Sequence, residues 1–291
     1  MKKLLVFVLS LCPLGLFAQG GSDALPFVRT DFGPVLTGTA GAAVASTDAG
    51  DWSAFRNAAA LSFREDTFGA SGEFRFNGLG NIGGSGAMTV NIFDNLGIGL
   101  GLAYLGGDVI GGYRTADILL SSGMAFSLSE KLSVGMNVRY AEQRLTENIA
   151  YKGYNVDISV MAKVSDALSA TAGLSTLGNK VESASGAEYK QPANLYAGAE
   201  LSMEFDDNTL SLDAMGEYYF TGNFGASVGA TILYDDKFSV RAGYRLASGL
   251  CVLPSHFALG IGTKMNGFSF NATFAKMPST YVASIGIGFS Y

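Results

Sequence analysis

The chain has few of the residues that catalytic and metal sites need. It contains two cysteines and one histidine among 291 residues. Because Cys12 lies in the apolar N-terminal stretch, Cys251 has no partner for an internal disulfide. Ser255 precedes His256 in the sequence, but this adjacency does not supply the geometry of a catalytic triad. No cluster of residues has the spacing of metal ligands. We therefore expect no enzymatic activity, no metal and no cofactor.

Charge is scarce too, and long apolar runs are missing. Charged residues make up 15% of the chain, whereas a soluble domain averages about 25%. Mean hydropathy is nevertheless positive. Beyond the N-terminus, no run reaches the roughly 20 apolar residues of a membrane-spanning helix. If Lys2 and Lys3 are removed with a signal peptide, as proposed below, 17 basic and 25 acidic residues remain. This negative balance argues against nucleic acid as a partner.

The N-terminus has the pattern of a secretory signal peptide. Lys2 and Lys3 precede an apolar stretch, Leu4 to Leu11, that is too short to span a bilayer. The tripeptide Leu16-Phe17-Ala18 before Gln19 is a plausible cleavage site. We predict a signal peptide over residues 1–18 and Sec-dependent export.

Alternation with a period of two is the main pattern of the remaining chain, and the last eleven residues show it best. From Tyr281 to Tyr291, every second side chain is apolar or aromatic, and those between are mostly small or polar. Successive side chains of a strand point to opposite faces. A terminal aromatic residue on an alternating strand is typical of a transmembrane barrel with aromatic girdles. An exported soluble β-sandwich is the main alternative.

About fourteen strands can be read from this alternation, and the turns between them support it. Asp-Asn, Asp-Asp-Asn and Asn-Gly sequences, which tolerate positive φ, fall between the apolar stretches. An even number of strands puts both chain ends on one side, with short turns facing the periplasm and longer loops facing outside. The sequence therefore predicts an all-β fold, a transmembrane antiparallel up-and-down β-barrel over residues 63–291 in the cell outer membrane, with outer-membrane lipid around it.

Charged residues within these strands are expected to face the lumen. An arginine facing lipid at mid-depth costs about 2–4 kcal/mol, and a one-residue slip would expose every such charge. These side chains either line a conduit or pair with one another to brace the interior, and pairing is the interpretation we favour for any single residue. The predicted inward charges are Glu73, Arg75, Arg139, Asp157, Lys163, Glu200, Asp213, Glu217, Arg241 and Arg245.

The segment before the first strand does not have a strand pattern. Residues 19–62, which we name the plug, contain the small-residue stretch 38–45 and a possible helix cap at Ser46-Thr47-Asp48. A fourteen-stranded barrel lies between the filled eight-stranded and the open 16–18-stranded types, so it has room for such a segment. We predict that the plug sits in the lumen, and a periplasmic tail is the alternative. Its candidate functional residues are Asp48, Trp52, Phe55, Arg56 and Asn57.

The plug also carries a family resemblance. Leu25-Pro26-Phe27, the small-residue stretch 38–45, Asp48, Trp52 and Asn57-Ala58-Ala59-Ala60-Leu61 together resemble the start of the PorV/PorQ group of FadL-like outer-membrane proteins. Ala58 stands where that group usually has proline. The resemblance implies a 14-stranded barrel with an N-terminal plug, and either a role in type IX secretion in Bacteroidota or the passage of hydrophobic compounds.

Three functions remain open from the sequence. The first is a partner or cargo-handling protein of type IX secretion, which would bind other envelope or secretion proteins. The second is a FadL-like channel for a hydrophobic ligand, with the plug closing the route. The third is a purely structural barrel. Short loops leave little room for a large protein-binding platform, which counts somewhat against the first.

Overall fold

The structure is a computed structural model that describes residues 23–93, 95–183, 186–249 and 251–291. The predicted signal peptide lies outside these residues. Fourteen long strands follow a helical N-terminal segment, as predicted. They are Phe68–Asn77 (β1), Ile82–Ile92 (β2), Leu96–Ile110 (β3), Tyr113–Ser129 (β4), Leu132–Arg144 (β5), Ala150–Lys163 (β6), Leu168–Gly178 (β7), Asn194–Phe205 (β10), Asn208–Tyr219 (β11), Phe224–Tyr234 (β12), Phe238–Ala247 (β13), His256–Met265 (β14), Phe268–Lys276 (β15) and Tyr281–Ser290 (β16).

The strands form one closed antiparallel barrel. Each strand pairs with its neighbours along the chain, and β7 pairs with β10 across the longest loop. The first strand pairs with the last, with Phe74 opposite Ile285 and Arg75 opposite Ser284. The predicted closed fold is therefore confirmed, and no strand edge of the barrel is left unpaired.

Side chains alternate strictly between the two faces of the wall. On β5, Val138 is 47% exposed to the exterior, whereas the neighbouring Arg139 is 1% exposed. Aromatic rings cluster on the outside at both ends of the wall. Phe268 and Phe289 pack against each other with tilted rings at one end of the barrel, and Phe274 stacks on Tyr281 at the other. This arrangement is the apolar band with aromatic girdles expected of a transmembrane barrel.

The two ends of the barrel differ. The turn end carries tight connections such as Asp206-Asp207 and Asn266-Gly267, where Asp206, Asn266 and Gly267 have positive φ, as their residue types allow. The loop end carries the longer connections. One of these contains a two-stranded hairpin, Val181–Glu182 (β8) and Glu188–Tyr189 (β9), that the sequence pattern does not predict, because strands of two residues show no periodicity.

Strands β3 and β4 extend further toward the loop end than the sequence predicts. The glycine pairs Gly106-Gly107 and Gly111-Gly112 predict a loop over residues 106–116, but β3 continues to Ile110 and β4 begins at Tyr113. Their register shifts between Gly106 and Val109. A bulge of this kind accommodates the glycines within the hairpin, so the glycine pairs did not mark the end of the strand.

Substitution of outward-facing residues by arginine tests whether the outer face of the wall lies in lipid. Val228 lies mid-strand on β12 with its side chain outward, and Tyr234 ends the same strand. We expect Val228→Arg to lower the free energy of unfolding by about 2–4 kcal/mol and Tyr234→Arg by about 0–1 kcal/mol, because the cost of burying arginine falls toward the interface. Urea unfolding from lipid vesicles measures both values. Equal costs at the two positions would contradict this orientation.

Candidate functional site

The described part of the plug, from residue 23 onward, runs through the lumen from the loop end to the turn end. At the loop end, the Ala24 N–H donates to the Lys190 carbonyl in the loop between β7 and β10, at 2.8 Å. The last helix of this segment ends at Phe63. Just beyond, the Arg64 carbonyl accepts from Asn91 at the turn end of β2, at 2.9 Å. Residues 24–63 therefore follow the length of the barrel.

Five short helices make up this segment. They are Pro26–Arg29, Pro34–Gly38, Thr47–Trp52, Ser53–Arg56 and Ala58–Phe63. The third begins at the predicted cap, where the Ser46 side chain accepts from the Asp48 N–H at 3.2 Å. No helix among the described residues is long and apolar enough to cross a membrane.

One buried glutamate on the wall binds two arginines of the plug. Glu217 on β11 accepts from Arg29 at 2.6 Å and from Arg56 at 3.2 Å, both in the plug. It also pairs with Arg245 on β13 and accepts from the Tyr219 hydroxyl at 2.6 Å. The Arg29 and Glu217 side chains are fully buried. Burial disfavours the charged Arg29, but Glu217 outweighs this and holds the pKa of Arg29 above its usual value.

A second pair fixes the plug on the side of β5 and β6. Arg139 pairs with Asp157, and its Nη1 donates to the Val28 carbonyl in the plug at 3.2 Å. Asp157 lies where the register between β6 and β7 shifts, and it accepts from the Thr176 N–H at 2.6 Å. The extra residue of this bulge lies on β7, where Ser175 and Thr176 oppose Asp157 and Thr176 has positive φ. The bulge therefore brings the Thr176 N–H to the carboxylate that pairs with Arg139.

A third pair on β1 binds the plug near its second helix. Arg75 and Glu73 form an ion pair at 3.0 Å. Arg75 also donates to the Asp31 carbonyl at 2.9 Å, and Glu73 accepts from the Gly33 N–H at 3.2 Å. These contacts hold the start of the helix Pro34–Gly38 against the seam between β1 and β16.

A fourth pair, near the turn end, is not among the sequence predictions. Asp51 in the plug pairs with Arg64, and its carboxylate accepts from Ser71 on β1 and Thr89 on β2, both at 2.6 Å. These partners could not be read from the sequence, because the strand pattern marks inward side chains but not which plug residue each one meets.

Small residues let the plug backbone lie directly on the wall. A Cβ added at Gly243 on β13 would overlap the Thr39 backbone. One added at Gly135 on β5 would overlap the backbone at Ala59. Glycine at these inward positions therefore serves close approach between two stretches of backbone.

The predicted site residues lie in two groups. Among the plug residues, Asp48 is exposed at the turn end, and Trp52, Phe55, Arg56 and Asn57 are buried. Asn57 donates to the Val44 carbonyl at 2.8 Å and to Thr171 on β7 at 3.2 Å. Of the predicted inward charges, Lys163 and Glu200 are half-buried, and the buried ones are Glu73, Arg75, Arg139, Asp157, Asp213, Glu217, Arg241 and Arg245.

Not all inward charges form ion pairs. Glu200 and Asp213 face each other across β10 and β11, and Lys163 lies 4.9 Å from the ring centre of Phe63. Arg241 donates to Asn271 at 3.2 Å. These four side chains lie toward the turn end, whereas the ion pairs that hold the plug include those of Glu73, Asp157 and Glu217. Arg29, which the predictions did not include, is a fully buried partner of Glu217.

Two cavities approach the plug from opposite ends. A cavity of about 290 Å³ at the loop end has Asp31, Thr37 and Arg75 in its lining. A more polar cavity of about 510 Å³ at the turn end has Pro34, Val35 and Arg241 in its lining. The helix Pro34–Gly38 borders both. One short helix thus separates the two cavities.

Removing the central carboxylate should loosen the plug. In Glu217→Ala, three arginines lose their shared partner, and breaking a buried pair costs about 3–5 kcal/mol. We expect a loss of this size in the free energy of unfolding, together with faster proteolysis within residues 24–63. The control is Glu188→Ala, which removes an exposed pair with Lys180 and should cost about 0–1 kcal/mol. Similar losses in both variants would contradict the central role of Glu217.

Steric contact with the plug can be tested separately from charge. We expect Gly243→Ala to displace the plug around Thr39 and to increase its cleavage by protease, because the added methyl group overlaps the plug backbone. Gly216→Ala on β11 is the matched control, since a Cβ there meets nothing within 4 Å. Unchanged cleavage in Gly243→Ala would show that the plug does not dock closely at this position.

Comparison with known proteins identifies the fold. No protein-family model and no curated protein sequence matches the chain. Among solved structures, the "CymD monoaromatic hydrocarbon channel" matches with a TM-score of 0.64 at 14% identity, covering 89% of this chain and 97% of that one. The toluene transporter TbuX of Ralstonia pickettii matches with a TM-score of 0.65 at 12% identity and the same coverage.

A FadL homologue of Pseudomonas aeruginosa also matches, with a TM-score of 0.60 at 12% identity, covering 88% of this chain and 97% of that one. At these identities, the likeness establishes the fold alone. It supports the FadL-like part of the resemblance, and nothing in these comparisons bears on the PorV/PorQ part. The chain therefore has the barrel fold of the FadL-like proteins.

Proposed function

We propose that this protein lets small apolar molecules cross the outer membrane through a lumen that the plug closes. The observation that carries the proposal is the arrangement of the two cavities, which lie on either side of the helix Pro34–Gly38. A displacement of this one helix would join them. A lumen filled throughout, as expected of a purely structural barrel, would not leave such a pair of cavities.

The comparisons favour this function over the others. CymD is named as a monoaromatic hydrocarbon channel, and TbuX and TodX as toluene transporters. These names belong to proteins that share the fold, and they support a channel for this chain by analogy. No comparison offers similar support for a secretion partner. The proposal also includes an outer-membrane location, export through residues 1–18, and residues 19–62 acting as the plug.

The contacts of the plug suggest which part moves. Val28, Arg29 and Arg56 of the plug are bound through Arg139 and Glu217, which are deeply buried. The helix Pro34–Gly38 forms no ion pair among the described residues. Its Leu36 packs in a buried cluster with Tyr196 and Met215, and a Cβ at Gly38 would lie 3.3 Å from the Cβ of Arg241. Its upstream bonds to Glu73 and Arg75 are hydrogen bonds, which contribute about 0.5–3 kcal/mol each. A local shift of this helix is therefore cheaper than expulsion of the whole plug.

Uptake by intact cells tests the channel. In Gram-negative cells that display the protein in their outer membrane, radiolabelled toluene should enter several-fold faster than in cells carrying an empty vector. Glu217→Ala, with its loosened plug, should not be slower than the unaltered protein when expression is equal. Equal uptake with and without the protein would refute the channel and return the secretion role and the structural barrel to first place.

A reversible cross-link tests whether the helix Pro34–Gly38 must move. In Gly38→Cys/Arg241→Cys, with Cys251→Ser to remove the free thiol, the two Cβ atoms lie near the 3.5–4.5 Å range of disulfides. We expect oxidation to abolish the toluene uptake and reduction to restore it. Gly38→Ser/Arg241→Cys on the same background is the control and should not respond to oxidant. Full uptake in the oxidised double variant would contradict the proposed motion.

A further inference from the structure

The loop-end cavity combines apolar and acidic side chains. Its apolar lining includes Leu105, Leu253 and Val282. Its acidic lining residues are Asp31 from the plug and Asp117 from β4, which lies opposite Leu105. An apolar wall with a few convergent polar groups is the usual form of a small-molecule site.

The acidic groups can accept hydrogen bonds. The Asp31 side chain is half-buried, and neither of its carboxylate oxygens accepts a hydrogen bond from the described residues, although Oδ1 is fully buried. Among the same residues, Asp117 accepts one hydrogen bond, from Gln143 at 3.0 Å, although a carboxylate can accept about four. A buried acceptor without a partner costs free energy, so a ligand that donates a hydrogen bond would be stabilised here.

The basic groups of this cavity are already engaged. Arg75 is paired with the fully buried carboxylate of Glu73 and donates to the Asp31 carbonyl. The Nδ1 atom of His256 forms a hydrogen bond with the Pro254 carbonyl, at 2.8 Å. The charge of Arg75 is therefore offset within the wall, and neither Asp31 nor Asp117 forms an ion pair among the described residues. Burial raises the pKa of Asp31 above its usual value, against the opposing effects of Arg245 and His256, so the like charge that an anionic ligand meets at Asp31 grows as the pH rises.

Size narrows the class of ligand. A cavity of about 150 Å³ is enough for benzene, and this cavity measures about 290 Å³. It therefore has room for a substituted single ring or a short aliphatic chain, and a long acyl chain would extend far beyond it.

We propose that the loop-end cavity is a selective binding site for a small apolar molecule that carries a hydrogen-bond-donating head, such as a phenol, and that it disfavours carboxylates. The ring lies among Leu105, Leu253 and Val282, and the hydroxyl donates to Asp31. An anionic head would instead meet Asp31 and Asp117 with like charge. This inference rests on the proposed function, since it names the class of molecule that the channel receives from outside.

Binding to the full chain in lipid nanodiscs tests the site, with p-cresol, toluene and benzoate as calorimetric probes. We expect p-cresol to bind at least ten-fold more tightly than benzoate. Asp31→Ala should weaken p-cresol about ten-fold and leave toluene within two-fold, because only the hydroxyl contact is lost. Asp31→Asn keeps an acceptor and should restore most of the p-cresol affinity. Glu130→Ala, an exposed acid at the turn end, is the matched control and should change neither probe.

A second variant tests the cavity without altering any residue of the plug. Leu105→Trp leaves the plug sequence intact and fills the cavity, so it should abolish binding of both p-cresol and toluene. The change in gel migration on heating, which marks a folded barrel, should be unaltered in this variant. Benzoate binding as tight as p-cresol, or p-cresol affinity unaltered in Asp31→Ala and in Leu105→Trp, would overturn the inference.

Failure of the binding site can be distinguished from failure of the channel. If the site is absent but the channel is real, toluene uptake by cells persists without any preference for p-cresol over benzoate in nanodiscs. If the channel is absent, uptake is lost whatever the nanodisc measurements show.

Discussion

Pairing of the first strand with the last is the contact on which the rest of the structure depends. In hydrocarbon, an unpaired backbone N–H or C=O costs several kcal/mol, so a sheet can span a membrane only when it has no free edge. The register of β1 with β16 removes that edge. It also fixes which side chains point inward, because a one-residue slip would reverse both faces. Every charge and glycine that contacts the plug owes its direction to this closure.

Within the closed wall, the interior has to satisfy its own charges. The plug supplies the missing partners, since Arg29 and Arg56 meet Glu217 and the Val28 carbonyl meets Arg139. A buried ion pair adds little net stability over apolar packing, but a broken one is costly. These ion pairs therefore hold the plug in one position, which apolar filling of the lumen alone would not do. The helix Pro34–Gly38 lies outside these ion pairs, which is why we propose it as the place where a passage opens.

The sequence predicted the wall well and the lumen less well. Alternation and turn residues were enough for fourteen strands, because each strand carries its own signal. Strands β3 and β4 proved longer than predicted, because glycines that suggested a loop lie in a bulged hairpin. The Ser46 cap was predicted correctly from local sequence. In contrast, Arg29 and Glu217 are 188 residues apart, and nothing in a strand pattern indicates that such a pair will meet.

Function was the least predictable part. The plug motif resembles a group associated with secretion, whereas the shared fold is that of proteins named as hydrocarbon channels and transporters. Sequence patterns describe faces and turns, but the two cavities beside Pro34–Gly38 exist only after the chain has closed on itself. The preference for a channel therefore depends on geometry that no local stretch of the sequence contains.

The central claim is that the plug alone closes an otherwise continuous lumen. Single-channel conductance in planar bilayers tests it most directly, with the intact protein compared with a variant lacking residues 23–62. We expect no steady conductance from the intact protein and a stable open pore from the variant, given that both migrate as folded barrels. Equal, negligible conductance from two folded proteins would contradict it, because something other than the plug would then fill the lumen.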